Sequence, residues 1–331
     1  MKKVLVTGAS GFIGYNTVLE FLKRGCFVYA LVHYEIRPEL LELEIEKKIN
    51  IIKSDVTEYK SLLNVFNELP KLDAIIHCAG RASDVGKDKE FRKTNYESVK
   101  HLVELVKIFN VKRLVFVSTT DVYGIRNFNE ETELELPFAE NAKNPYPKYK
   151  IKAEKWIKER LSEDRYCIIR PAAVWGEDDP ILTKRIKDFL SSSRFIIHFG
   201  RWKGHNRWPL AHVKDVAHAI YIGAFHPDSK GLAINVIDEK KTTIDEFYRF
   251  VANKYFPNKT FKSITLPFWV GLFISSIITF ISNIFNLKRP FMDPSIYALY
   301  SVSRNLDFSG SLFISLKMSL NQKELENHNF P

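Results

Sequence analysis

The amino-acid sequence predicts an α/β protein in which a doubly wound parallel β-sheet carries a smaller, mainly helical C-terminal lobe. In the first half of the chain, short apolar runs rich in β-branched residues alternate with amphipathic stretches of helical period. Strands that are apolar along their whole length are buried on both faces, and helices that join parallel strands provide that cover. A chain of 331 residues is long enough for a sheet domain and a second lobe.

The predicted elements follow one another in a regular order. Strands are expected at 3–7, 27–32, 50–54, 74–77, 113–118, 166–169 and 232–237. The helices with the clearest period are expected at 95–109, 149–161 and 212–225. We therefore expect residues 1–175 to form the sheet domain, to which 211–237 return, and residues 176–210 and 238–331 to form the lobe.

The spacing of the cysteines and the distribution of charge exclude some classes of function. The cysteines, Cys26, Cys78 and Cys167, form no CxxC pair, which argues against a disulfide framework and fits a reducing compartment. The net charge is +10, and residues 180–262 carry 15 Lys and Arg against 7 Asp and Glu. Such a region suits an anionic small molecule or a membrane surface. Nucleic acid is not expected, because no basic stripe is interleaved with aromatic residues.

Five of the nine histidines lie between positions 198 and 226, a pattern that suggests a metal site. Gly200, Gly204 and Pro209 interrupt any single helix there, and no Cys or carboxylate stands at ligand spacing. The sequence therefore predicts no metal site.

A glycine-rich turn, Thr7-Gly8-Ala9-Ser10-Gly11-Phe12-Ile13-Gly14, follows the first predicted strand. Glycines at this spacing allow a tight turn and bring backbone amides close to a pyrophosphate, whose charge the following helix N-terminus stabilises. A position between strand and helix is the context that a Rossmann-type dinucleotide site requires. The sequence therefore predicts that the sheet domain binds NAD(P).

The end of the second predicted strand bears on which dinucleotide is bound. A carboxylate there would accept hydrogen bonds from the adenosine ribose and favour NAD, but none is present. His33 and Arg37 stand nearby and are able to face a 2′-phosphate, which slightly favours NADP; both are equally compatible with a solvated loop. Asp55, at the end of the third strand, is a candidate adenine contact.

Tyr146 and Lys150 have the YxxxK spacing, which places both side chains on one face of a helix. A neighbouring ammonium and an oxidised nicotinamide are expected to lower the pKa of the phenol from its usual value near 10. Tyr146 would then exchange a proton with a substrate hydroxyl. Tyr149 is one residue out of register and is interpreted as structural.

Hydroxyl side chains follow the fifth predicted strand, in the segment Ser118-Thr119-Thr120-Asp121. The carboxyl ends of parallel strands line the crevice where ligands bind. Thr119 is the best candidate to hydrogen-bond a reacting oxygen, although a hydroxyl that only caps a turn is the alternative.

Taken in order, these motifs resemble the extended short-chain dehydrogenase/reductases of the NAD-dependent epimerase/dehydratase superfamily. The matching segments are TGASGFIG at 7–14, Asp55, HCAG at 77–80, Asn95, STTDVYG at 118–124, YPKYKIKAE at 146–154, IIRPAAVWG at 168–176 and HVKDVAHAI at 212–220. The resemblance implies an NAD(P)-dependent enzyme with catalytic Thr119, Tyr146 and Lys150. The cofactor contacts that it implies, together with those suggested above, are Gly8, Gly11, Phe12, Ile13, Gly14, His33, Arg37, Asp55, Val56, Ala79, Gly80, Arg81, Asn95, Lys150, Pro171 and Val174.

The sequence departs from the family pattern at three places. Tyr149 stands where the family usually has Ser, and the acid after the second strand is missing. Sugar-nucleotide dehydratases have Asp or Ser and then Glu after the catalytic Thr, whereas this chain has Thr120 and Asp121. Elimination of water is therefore not expected, although Asp121 leaves it open, and both residues are candidate substrate contacts.

Two branches of the family remain open. Residues 206–213, NRWPLAHV, resemble the segment before the late helix in relatives of 3β-hydroxysteroid dehydrogenases. The sugar-nucleotide branch instead typically places an arginine near Arg207 on a diphosphate, a role that suits a guanidinium. A surface role for Arg207 is the alternative.

The segment 264–287 contains no charged residue over 24 positions, and Lys288 and Arg289 follow it directly. Its length is sufficient to cross a bilayer, but several Ser, Thr and Asn residues lower its hydropathy. An interfacial helix, a buried helix and a true span are all compatible with this pattern.

The leading prediction is a cytoplasmic or membrane-peripheral oxidoreductase that interconverts a secondary alcohol and a ketone on a sterol-like, lipid-like or sugar-nucleotide substrate. One alternative is a nucleotide-sugar epimerase, or a dehydratase, that recycles its NAD. A further alternative is a catalytically idle dinucleotide-binding scaffold. Family analogy also suggests a homodimer.

Overall fold

The predicted parallel sheet is the centre of the computed structural model, which describes residues 1–287, 290 and 292–318. The strands are β1 (Lys3–Thr7), β2 (Phe27–Val32), β3 (Ile49–Lys53), β4 (Ala74–His77), β5 (Arg113–Val117), β6 (Phe128–Glu131), β7 (Tyr166–Pro171), β8 (Ala173–Trp175), β9 (Phe195–Phe199), β10 (Leu210–His212), β11 (Ala233–Val236), β12 (Lys262–Leu266) and β13 (Leu306–Phe308). The α-helices are α1 (Phe12–Lys23), α2 (Pro38–Ile45), α3 (Tyr59–Glu68), α4 (Asp88–Arg92), α5 (Ser98–Ile108), α6 (Pro145–Arg160), α7 (Leu182–Ser192), α8 (Val213–Phe225), α9 (Ile244–Tyr255), α10 (Phe268–Ile284) and α11 (Ile296–Val302).

Seven strands form the main sheet in the order β11-β7-β5-β4-β1-β2-β3, and all neighbours are parallel. The chain order reverses between β1 and β4, so the crevice for a ligand is expected outside the carboxyl ends of these two strands. The predicted doubly wound α/β fold is confirmed.

Helices cover both faces of this sheet. On one face, Phe21 of α1 and Ile220 of α8 pack against Val6 and Ile169. On the other face, side chains of α3, α5 and α6 pack against the sheet, among them Leu62, Leu102 and Ile157. Burial on both faces is the reason that the strands are apolar throughout.

A third core lies in the lobe, where Ile186, Trp208 and Phe247 are buried together. Two small parallel strand pairs, β9–β12 and β6–β13, add to its helices. The sequence analysis assigned residues 238–331 to the lobe. Helical residues 311–318 return to the sheet domain, where Phe313 and Leu316 enter the core beside α8 and β11. The short apolar pattern of residues 311–318 does not indicate in the sequence that they pack on the sheet domain. Of the residues assigned to the lobe, 288, 289, 291 and 319–331 lie outside the described part of the chain.

The uncharged segment forms β12 and α10 rather than one long element, because Pro267 separates them. Within the described ranges, no helix has both the length and the apolar character needed to cross a membrane.

Candidate active site

The glycine-rich turn joins β1 to α1 beside the start of the loop after β4. Gly8 has φ +67°, and a Cβ on it would lie 2.7 Å from the backbone nitrogen of Ala79. A Cβ on Gly14 would lie only 2.1 Å from the Gly8 carbonyl oxygen. Glycine is therefore required at both positions, because the backbone of the turn passes too close to itself and to Ala79 for a side chain.

This turn fits the pyrophosphate of a dinucleotide. Gly11 precedes α1 and offers no side-chain cap, so the amides of the first helical turn are left for an anionic ligand. Phe12 and Ile13 form that first turn, and the Phe12 ring lies beside Gly176, just after β8. Bound NAD would place its phosphates at these amides.

The two residues expected to face a 2′-phosphate are already paired with carboxylates. His33 Nε2 lies 3.3 Å from Asp55 Oδ2. Arg37 Nε lies 3.2 Å from a Glu39 oxygen, and a second guanidinium nitrogen lies 3.6 Å from Asp178. A 2′-phosphate would have to compete with these acids for the same side chains, which weakens the case for NADP.

The loop after β4 is held by a buried polar network. Thr7 Oγ1 lies 2.8 Å from His77 Nδ1 and accepts a hydrogen bond from the Ala79 amide. Asn95 accepts a hydrogen bond from the Arg81 amide (2.7 Å) and donates one to the Arg81 carbonyl (2.9 Å). Burial lowers the pKa of His77 to about 3, so this imidazole is neutral and acts as a fixed hydrogen-bonding strut. Through it, residues 79–81 are set at the edge of the crevice.

Thr119 and Tyr146 meet at the carboxyl end of β5. Thr119 stands two residues after the strand and accepts a hydrogen bond from the Asp121 amide. Tyr146 stands in the first turn of α6, which Asn144 caps by accepting a hydrogen bond from the Tyr146 amide. The two side-chain hydroxyls interact with each other.

Lys150 lies one helical turn below Tyr146 on α6 and is buried. Its ammonium donates to the Val117 carbonyl at 2.6 Å, and a Cβ on Gly80 would stand 3.4 Å from it. Burial lowers the Lys150 pKa to about 8. The side chain therefore reaches from α6 to the end of β5 and to the loop after β4.

The sequence analysis expected a lowered pKa for Tyr146. When only the groups of the protein act on it, this expectation is wrong, because they raise the pKa. Burial, and next the negative charge of Asp121, raise the pKa of this phenol, and the Thr119 hydroxyl offsets only part of the effect. The sequence expectation considered Lys150 and an oxidised nicotinamide, whereas among the protein groups burial and a carboxylate from a different element have the larger influence on this pKa.

The sequence analysis missed a polar cluster that the lobe brings to Tyr146. The Tyr297 hydroxyl, on α11, is buried near Asp121 and Tyr146 and has no hydrogen-bond partner of ordinary length among the described residues. Burial raises the Asp121 pKa to about 6, with Asp84 contributing. Asp84 in turn accepts hydrogen bonds from Ser295 and Arg185. No spacing rule relates Tyr297 to Tyr146, because the lobe alone brings them together.

The remaining candidate residues lie in other elements around Thr119 and Tyr146, except for Arg207. Thr120 is buried in the turn after Thr119, Val56 is buried after β3, and Pro171 and Val174 lie in β7 and β8 on either side of Ala172. Arg207 is not brought to the cluster: its guanidinium donates to the Lys241 carbonyl, and its charge acts on the surface carboxylates Glu130 and Glu246.

The predicted absence of a metal site stays a prediction. In the described ranges, the side chains include no group of three or more His, Cys, Asp or Glu that would hold a metal ion.

Comparison with known proteins relates this arrangement to a family. Residues 4–236 match the profile described as the NAD dependent epimerase/dehydratase family. A 3 beta-hydroxysteroid dehydrogenase/Delta 5-->4-isomerase of Mycobacterium tuberculosis is 26% identical over 259 residues, which cover 75% of this chain and 68% of that protein. A decarboxylating sterol-4-alpha-carboxylate 3-dehydrogenase of Candida albicans is 24% identical over 315 residues, covering 89% and 86%.

Among solved structures, the UDP-Glc/GlcNAc 4-epimerase of Campylobacter jejuni superposes with a TM-score of 0.71 at 19% identity. The match covers 96% of this chain and 93% of that one. At this identity the likeness concerns the fold, which includes the lobe as well as the sheet.

Proposed function

Since the chain belongs to the NAD dependent epimerase/dehydratase family, we propose that it is an oxidoreductase that interconverts a secondary alcohol and a ketone on an apolar, sterol-like or lipid-like substrate. The observation that carries this proposal is the hydrogen bond between Thr119 and Tyr146 at the carboxyl end of β5, where Lys150 also donates to the Val117 carbonyl. That edge adjoins the glycine turn, where a dinucleotide fits.

Each of the three side chains has a proton-handling or positioning role. The Thr119 and Tyr146 hydroxyls converge on one point, where both can hydrogen-bond the oxygen of an alcohol or ketone. Tyr146 gives a proton to that oxygen during reduction and takes it back during oxidation. The Lys150 ammonium favours the phenolate and donates a hydrogen bond toward the cofactor ribose. Bound nicotinamide supplies the hydride acceptor or donor and, when oxidised, a further positive charge.

We propose NAD rather than NADP as the cofactor. The pairing of His33 with Asp55 leaves a carboxylate near the adenosine end of the crevice, although the acid is supplied by β3 and not by β2. Asp178 and Glu39 make the surroundings of Arg37 unfavourable for a further phosphate.

Two observations favour a lipid-like substrate over a nucleotide sugar. Arg207, the candidate diphosphate ligand, is held at the surface by Lys241. The relatives that match most of the chain are named for steroid and sterol dehydrogenases. An epimerase that recycles its NAD is the second candidate, since one of the structures whose fold matches 96% of the chain is a UDP-sugar epimerase.

The decisive experiment replaces Tyr146 by Phe and follows reduced nicotinamide by its near-ultraviolet absorbance. Wild type and variant receive NAD or NADP with a panel of hydroxysteroids and other lipid alcohols, and separately with nucleotide sugars. We expect a signal with NAD and a lipid alcohol that Tyr146→Phe lowers by about a hundredfold or more, because general acid–base catalysis contributes that much. NAD affinity should be unchanged.

Tyr149→Phe is the matched control. This neighbouring phenol lies on α6 as well, but its hydroxyl donates to Asp88 and not to Thr119, so activity should persist. Full activity in Tyr146→Phe would refute the proposal. Conversion of a nucleotide sugar without net change in NADH would replace it with the epimerase.

A further inference from the structure

Helix α10 exposes a continuous stripe of large apolar side chains. Trp269 is 72% exposed, Phe273 67%, Ile277 45%, Phe280 67% and Ile284 60%. Their spacing of three or four residues places them on one face of a 17-residue helix about 25 Å long. Phe285, just beyond the helix, is also 72% exposed. Single exposed apolar residues are ordinary, but a contiguous row of five marks an interaction surface.

The opposite face of α10 fixes the direction in which this stripe points. Its buried residues are small or aliphatic: Gly271, Ser275, Ile278 and Ser282. A Cβ on Gly271 would stand 2.5 Å from the Phe199 ring, so the helix packs tightly on β9. Thr279 accepts a hydrogen bond from the Ile296 amide and so attaches α10 to α11. The apolar stripe is therefore held outward by packing and is not a loosely placed segment.

Exposed basic side chains stand at both ends of the stripe. At its start, Gly200 lies against Phe268, and the exposed Arg201 and Lys203 follow in the same turn. Near its end, the Gly86 amide donates to Asn283, which brings the exposed Lys87 close to the helix. Asn286 there donates to Glu90, whose carboxylate is paired with Arg81. Lys288 and Arg289, which follow α10 in the sequence, lie outside the described residues. The helix itself carries no charged residue.

We propose that this face of α10 binds the surface of an anionic lipid bilayer, with the helix axis parallel to the membrane plane. A row of aromatic and aliphatic side chains inserts at the boundary between headgroups and acyl chains, and basic side chains at both ends meet anionic headgroups. Among the described residues, no helix is long and apolar enough to cross a membrane, and an interfacial position of α10 agrees with this.

Charge complementarity selects the bilayer over a second copy of the chain. Two copies joined through this stripe about a two-fold axis would bring basic ends together whichever way the helices run. Like charges placed that close repel, whereas an anionic membrane supplies the opposite charge at both ends.

Docking through α10 would bring the active-site cluster close to the lipid surface. Helix α11, which carries Tyr297, packs directly on α10. An apolar substrate dissolved in the bilayer would then have a short path to Tyr146. Membrane binding itself does not depend on the proposed function.

The test is flotation of the full chain with vesicles of phosphatidylcholine alone or phosphatidylcholine with phosphatidylserine. We expect binding to the anionic vesicles that weakens with salt, because the basic ends contribute electrostatically. The variant with Phe273→Ser and Phe280→Ser should bind about tenfold or more weakly, since each phenyl ring loses its burial in lipid. Trp269 fluorescence should shift to the blue on binding in wild type, and this shift should be absent in Trp269→Phe.

Ile45→Ser and Ile108→Ser are matched controls, because both replace exposed apolar residues elsewhere on the molecule; their binding should equal that of wild type. Tyr146→Phe should also bind normally, which separates this proposal from the catalytic one. Failure of wild type to float, equal flotation of the double Phe variant, or a wild-type dimer that the double variant dissociates without any vesicle binding would each overturn the proposal.

Discussion

After burial, the negative charge of Asp121 has the largest influence on the pKa of Tyr146. Burial raises the pKa of Asp121 to about 6, so this carboxyl is largely ionised at neutral pH and largely protonated below pH 5. When it is ionised, its charge raises the pKa of Tyr146. Asp121 therefore opposes formation of the phenolate that alcohol oxidation requires, and it helps to keep Tyr146 protonated for ketone reduction.

Replacing Asp121 by Asn should move this balance in a defined direction. Removal of the negative charge lowers the pKa of Tyr146, so the rising limb of kcat/KM for alcohol oxidation should move to lower pH by about one unit. The measurement is the pH dependence of kcat/KM with a saturating cofactor. Glu159→Gln, an exposed carboxylate on α6, should leave the limb in place. An unchanged limb in Asp121→Asn, or a shift to higher pH, would contradict the assignment.

At the residue scale, the sequence could predict those candidate residues whose placement follows from residues nearby in the chain. The YxxxK spacing and the strand end placed Tyr146, Lys150 and Thr119, and their catalytic roles stay predictions. Tyr297 was not predictable, because it comes from the lobe and has no motif. The direction of the Tyr146 pKa was also missed, since it depends on burial and on Asp121, which the tertiary fold brings close.

At the scale of elements, helix α6 is anchored by a buried ion pair. Glu154, with no exposed surface, accepts a hydrogen bond from Arg170 Nε at 3.0 Å and another from Ser118 Oγ at 2.6 Å. Arg170 also donates to the Tyr123 hydroxyl, which in turn donates to Asn235. Helix α6, the end of β5, β7 and β11 are thus joined by one polar network beneath the candidate active site.

Replacing Glu154 by Gln should destabilise the fold by about 3 kcal/mol, because it leaves the Arg170 charge buried without its counter-ion. Urea unfolding monitored by far-ultraviolet circular dichroism measures this difference. Glu140→Gln removes one carboxylate of the exposed pair with Lys155 and should cost less than about 1 kcal/mol. Equal losses in the two variants would show that the buried network does not hold α6.

The predicted and observed boundaries of the helices and strands show which elements have a local sequence pattern that identifies them. The sheet strands were found to within one or two residues because they are apolar along their whole length. Helix α6 begins at Pro145, before the predicted 149, because Asn144 caps it and proline fits the first helical turn. The strand pairs β9–β12 and β6–β13 join distant segments of the lobe and had no local pattern to indicate their pairing.

At the scale of the whole molecule, residues 311–318 connect the lobe to the sheet. After β13 pairs with β6, residues 311–318 return so that Phe313 and Leu316 enter the core beside α8 and β11. Glu133 accepts hydrogen bonds from the Ser311 and Leu312 amides at the start of this segment. The lobe that carries Tyr297 is therefore flanked on both sides by chain belonging to the sheet core, and we propose that the two parts unfold together.

Phe313→Ala tests this coupling. Its ring is 4% exposed within the sheet core, so truncation should cost about 3 kcal/mol or more through lost burial and the cavity left behind. If the parts are coupled, urea unfolding followed by tryptophan fluorescence and by circular dichroism should remain one coincident transition that moves to lower urea. Phe273→Ala, which removes an exposed ring of α10, should change stability by less than about 0.5 kcal/mol. Two separate transitions in Phe313→Ala, with the first affecting only the lobe, would instead mean that the sheet domain is stable without the lobe.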